Sequence, residues 1–112
     1  MALIVTLDLF SGLPNPFWSV ACDQAADLIQ MIGAMATTAT PAEPPGLGYR
    51  GVAVAANCPD LPRGAWHVFG GTVTFEGRTL VDAGRTLERW LVASGDGHVN
   101  AGILNAAQEA IR

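Results

Sequence analysis

Residues Gly46-Leu47-Gly48-Tyr49-Arg50-Gly51 match G-x-G-x-x-G, the spacing with which a glycine-rich loop holds a dinucleotide pyrophosphate. That fingerprint works where the loop leaves a strand and opens a helix, because the helix N-terminus then faces the phosphates. Here a proline-rich stretch precedes the glycines and a β-prone run comes after them, so no helix dipole is on offer. The glycines read instead as a turn into a strand. A kinase-type loop fails too, since the chain has no lysine and neither H-R-D nor D-F-G.

Cys22, Cys58, His67 and His98 are the soft metal ligands, separated by 36, 9 and 31 residues. Structural zinc sites draw their ligands in close pairs, about two to four residues apart, so no metal is expected. A site assembled from distant positions, for instance Cys58 or His67 with Asp8 or Asp60, is the alternative. None of Ser11, Ser19 and Ser94 lies in G-x-S-x-G. Asp8 alternates with apolar residues: on a covered face it would need a partner, for which Arg50 is the candidate, and on an open face it would simply be solvated. Acid–base chemistry without a cofactor would draw on Asp8, Tyr49, Arg50 and His67, in an isomerase, cyclase or lyase.

All six basic residues are arginine, against ten carboxylates and a net charge of −4. Without lysine there is no Schiff-base chemistry, no pyridoxal phosphate enzyme and no P-loop. The arginines are scattered, so nucleic-acid binding is not expected. Eighteen alanines beside no lysine is also what high-GC codon usage produces. The N-terminal run lacks a basic region and meets Asp8 early, and no apolar run reaches membrane-spanning length, so a cytoplasmic protein that does not enter membranes is expected. In that reducing compartment Cys22 and Cys58 are expected as free, mostly buried thiols.

The elements that must position these residues are set by periodicity. Leu3, Val5, Leu7 and Leu9 share one face of a strand over 3–10. Two prolines and Gly12 break the chain at 11–16, and Phe17, Trp18 and Val20 resume an extended run. Asp23 is a candidate cap for a helix over 23–37. The Thr/Pro/Gly-rich stretch 37–48 reads as a flexible surface connection. Strands are expected over 52–56, over 66–75 with a bulge or close approach at Gly70-Gly71, and over 78–81. Asp82 caps a helix burying Leu87, Trp90 and Leu91 while Glu88 and Arg89 stay wet, and Asp96 caps a last helix. The result is one α+β domain spanning 1–112, a largely antiparallel sheet of three to four strands with about three helices on one face.

The run Phe10-Ser11-Gly12-Leu13-Pro14-Asn15-Pro16-Phe17-Trp18 resembles a segment, F-S-G-x-P-N-P-x-W, of small uncharacterised bacterial proteins, and Gly46 to Gly51 and Leu87 to Leu91 look like further parts of that pattern. The resemblance implies no particular activity. From the residues themselves, the 11–18 loop is rigid and carries an amide and an aromatic. This favours a non-catalytic binding or accessory protein for a small molecule or protein partner, contacting it through Asn15, Trp18, Tyr49 and Arg50. An acid–base enzyme is the runner-up, and association into a homodimer is a third reading of so apolar a chain.

Overall fold

The structure, a computed structural model, describes residues 2–10, 14–38, 40–44, 46, 48–75 and 77–111, with Phe10 described by its backbone alone. Ser11, Gly12 and Leu13 of the expected binding loop, and Leu47 of the glycine turn, lie outside the described residues. Alternation builds the first strand: Leu3, Val5 and Leu7 are fully buried, while Ile4, Thr6 and Asp8 stay exposed or half-exposed. This strand, β1 (Ala2–Phe10), is flanked by β2 (Phe17–Ala21) and β4 (Gly48–Ala56). With β3 (Thr37–Thr38), β5 (Gly64–Phe69), β6 (Thr72–Phe75) and β7 (Arg78–Val81) they form one sheet in the order β2-β1-β4-β5-β6-β7-β3. Every pairing is antiparallel.

Helices α1 (Ala26–Gly33), α2 (Thr86–Ala93) and α3 (Ala101–Ala110) cover one face of this sheet. Their Leu28, Leu87, Leu91 and Leu104 join the inward residues of β1, β4 and β5, among them Val52, Val54, Trp66 and Val68, in a single buried cluster. Each such side chain contributes about 1.5–3 kcal/mol by leaving water. No described helix covers the other face, where Ile4 and Ala55 are exposed and Thr6, Asp8 and His67 half-exposed. No helix among the described residues is long and apolar enough to cross a membrane.

The α+β class holds, but the sheet has seven strands rather than three to four. Gly70 and Gly71, expected at a bulge within one strand, instead form the two-residue turn between paired Phe69 and Thr72, both with positive φ (62° and 88°). That is the backbone a right-twisted hairpin demands. The bulge sits elsewhere: Leu7 pairs with Val52 and Leu9 with Tyr49, so Asp8 faces both Arg50 and Gly51. Strand β4 therefore begins at Gly48, four residues before the apolar run. Thr37 and Thr38, placed in the connection 37–48, pair with β7.

The helix termini also differ from expectation. Asp23 lies inside a 3₁₀ turn, Cys22–Ala25, and caps nothing; α1 stops at Gly33 because the chain soon joins the sheet. Asn100, not Asp96, caps α3, its Oδ1 accepting from the N–H groups of Gly102 (2.8 Å) and Ile103 (3.3 Å). Asp82 does serve α2, accepting from Leu87 N–H at 2.8 Å and Glu88 N–H at 3.0 Å.

The two cysteines are not free thiols. Cys22 and Cys58 form a disulfide with their Cα atoms 5.6 Å apart. The sheet explains the meeting: Ala2 pairs with Ala21 and Leu3 with Ala56, so the ends of β2 and β4 both flank the start of β1. Each cysteine lies one or two residues beyond such an end.

Candidate functional site

Glu88, expected on a wet helix face, is wholly buried at 0% exposure. It lies three and four residues before Leu91 and Val92, on the same apolar stripe of α2. A carboxylate there needs every lone pair occupied. Arg85 clamps it twice, Nε to Oε1 at 2.8 Å and Nη2 to Oε2 at 2.9 Å, in the bidentate geometry that makes Arg–carboxylate pairs strong. The Gly70 N–H donates to Oε1 at 3.1 Å, and the Tyr49 hydroxyl donates to Oε2 at 2.5 Å.

Strain in the chain aims the clamp. Gly84 and Arg85 both adopt left-handed backbone (φ 67° and 56°), which costs a non-glycine residue about 1–3 kcal/mol. Asp82, buried, holds this turn by accepting from the Arg85 N–H at 3.0 Å and donating its own N–H to the Gly71 carbonyl at 2.7 Å. The Arg85 guanidinium then lies 5.5 Å from the Phe69 ring centre, and Phe69 packs on Tyr49 with ring centres 6.0 Å apart. Burial, then the hydrogen bond and negative charge of Glu88, push the Tyr49 hydroxyl far above its ordinary pKa of 10.0, with Arg85 pulling weakly the other way. The hydrogen bonds to Glu88 likewise raise Arg85, against a smaller lowering by partial burial.

The ring of Tyr49 also lines a cavity of about 450 Å³. Its walls are Leu9, Pro14, Pro16 and Tyr49 on the sheet side and Ile103, Ala106, Ala107 and Ala110 of α3 on the other. All are apolar but for the tyrosine. A larger depression of about 550 Å³ lies along α2 and α3, but Arg89, Asn105, Gln108 and Glu109 line it, and all four are exposed helix-surface side chains.

The residues singled out from sequence fall in different places. Asn15 closes the β1–β2 turn, its Oδ1 accepting from the Leu9 N–H at 2.9 Å, between the two prolines that line the cavity. Trp18 is buried in the core, donating from Nε1 to Ser94 Oγ at 2.9 Å against Gly95, where an added Cβ would come within 2.9 Å of the indole. Asp8 pairs with His67, not with Arg50: its Oδ2 lies 3.7 Å from Nε2, both side chains about one-third exposed on the open face. Arg50 is half-buried, and its Nε has no hydrogen-bond partner among the described residues.

Tyr49 turns to the helix-covered face with Leu9, whereas Asp8 and His67 share the open one, so the four acid–base candidates do not surround a common space. Among the described residues no three His, Cys, Asp or Glu side chains are grouped to hold a metal ion. Sequence reasoning missed Glu88, Arg85 and the cavity-facing stripe of α3. The one local signal for Glu88 is its helical spacing to Leu91 and Val92. No known protein family, curated protein or solved structure matches this chain.

Proposed function

We propose that this protein is a non-catalytic binding protein that takes an apolar small molecule between the Pro14–Pro16 turn, Tyr49 and α3. The observation that carries this reading is the convergence of the proline-rigidified turn, the start of β4 and α3 on a single apolar cavity of ligand size. Rigid walls lose little entropy on binding, and Tyr49 cannot swing away because Glu88 holds its hydroxyl. Nile red, an apolar dye that brightens out of water, tests it. Saturable brightening by the native protein and its loss in Ala106→Trp, which fills the cavity from an exposed helix position, are expected. Equal brightening in both proteins, or none in either, overturns the reading.

A small acid–base enzyme is the second reading, and the Asp8–His67 pair is what favours it. Against it, Tyr49 lies on the opposite face of the sheet from Asp8 and His67, and those two side chains are about one-third exposed, where water competes. As for location, stable disulfides persist in oxidising compartments, so a cytoplasmic role requires Cys22 and Cys58 to be reduced there. Counting thiols in cells lysed under an alkylating agent distinguishes the two settings.

A further inference from the structure

Strand β2 ends the sheet, and its outer side is unpaired among the described residues. The Leu7 N–H donates to the Pro16 carbonyl at 3.0 Å, which fixes the phase of the β1–β2 ladder. Trp18 and Val20 therefore exchange bonds with Val5 and Leu3, whereas the N–H and C=O groups of Phe17 and Ser19 and the N–H of Ala21 point outward; the Ala21 carbonyl caps the 3₁₀ turn that follows. Proteins usually blunt such an edge with a charge, a proline or a bulge inside the strand. Phe17-Trp18-Ser19-Val20-Ala21 has none of these.

We infer that this edge pairs with the same edge of a second copy, antiparallel about a twofold axis at Ser19, to make one continuous sheet. The strand is self-complementary about that residue. Phe17 falls opposite the partner's Ala21, Trp18 opposite the partner's Val20, and the two Ser19 residues face each other, so each large side chain meets a smaller one. In such a register the two Ser19 residues exchange both bonds, and each Ala21 N–H donates to the carbonyl of the partner's Phe17. The contact also covers apolar surface. Phe17 is 68% exposed and Ile4, beside Ser19 on β1, is 40% exposed, both on the open face next to this edge. Two chains of net charge −4 would repel at most surfaces, but β2 carries no charge, so they meet along a neutral strip.

Sedimentation equilibrium over a concentration series tests the pairing. The native chain should approach twice its 11.7 kDa mass as concentration rises. Ser19→Lys, which sets two like charges face to face on an exposed position, should remain at 11.7 kDa throughout, and Ile29→Lys, on the exposed face of α1, should dimerise as the native chain does. A native chain that stays monomeric, or a dimer that Ser19→Lys leaves intact, overturns the inference. If Ser19→Lys does not fold, Ser19→Cys decides. Directly opposed bonded residues lie about 5.5 Å apart, within disulfide reach, so oxidation should link two chains through position 19. Absence of that cross-link overturns the inference.

Discussion

The hydroxyl of Tyr49 donates to Glu88 Oε2 at 2.5 Å, tying β4 to the first turn of α2 across 39 residues of chain. The same carboxylate takes two bonds from Arg85 and one from the Gly70–Gly71 hairpin. One buried side chain thus joins the sheet, a turn and a helix, beside the cavity.

Removing either member of the Tyr49–Glu88 pair should be costly. Tyr49→Phe strips one donor from a buried carboxylate and should lower stability by about 1.5–3 kcal/mol. Glu88→Gln deprives Arg85 of its ion pair and should cost about 3 kcal/mol or more. Because both act on the same contact, the double variant should lose less than the sum of the two. Urea unfolding of the three variants measures this, and strict additivity would show that the bond carries no coupling.

Tyr49 is the one tyrosine in the chain, so tyrosinate absorbance reports it alone. Its folded pKa is raised, so the stabilisation is complete below the unfolded value near 10.0 and is lost as pH rises beyond it, where only the unfolded chain gives up the proton. Ionisation and unfolding should therefore coincide in an alkaline titration monitored by absorbance and circular dichroism. Tyrosinate appearing near pH 10 in a chain that is still folded would contradict the burial of this hydroxyl.

The Cys22–Cys58 disulfide closes a loop over a sequence separation of 36. Loop-closure entropy puts its contribution at about 4 kcal/mol, with measured cases commonly near 2–4. Thiol titration of the denatured chain without reductant should find no free thiol, and denaturation with and without dithiothreitol should differ by that amount.

Gly51 and Gly46 belong to the same G-x-G-x-x-G run but differ in what surrounds them. A Cβ at Gly51 would meet the Val68 carbonyl oxygen at 2.6 Å and Phe69 Cβ at 2.9 Å, at a φ of +108°, whereas a Cβ at Gly46 meets nothing within 4 Å. Gly51→Ala should destabilise by about 3 kcal/mol or more, and Gly46→Ala should fall within about 0.5 kcal/mol of the native chain. Thermal melts of both variants check the contrast.

Elements whose cause is local were legible along the chain. Alternation in Leu3 to Leu9 made a strand with one buried face, and the helical spacing of Leu87 and Leu91 made an amphipathic helix. The sequence also rejected the dinucleotide reading of Gly46 to Gly51, since the β-prone character of residues 52–56 is a local property. Features that depend on distant partners were settled only by folding. Gly70-Gly71 is a turn and Arg50-Gly51 a bulge because of where the neighbouring strands run, not because of their own preferences. The cysteines meet because β1 lies between β2 and β4. Glu88 is buried because Arg85, Tyr49 and Gly70 converge to bond it, and a window of sequence around position 88 contains only the first of these. The cavity likewise has walls more than fifty residues apart, so its apolar lining exists only once α3 packs beside the Pro14–Pro16 turn.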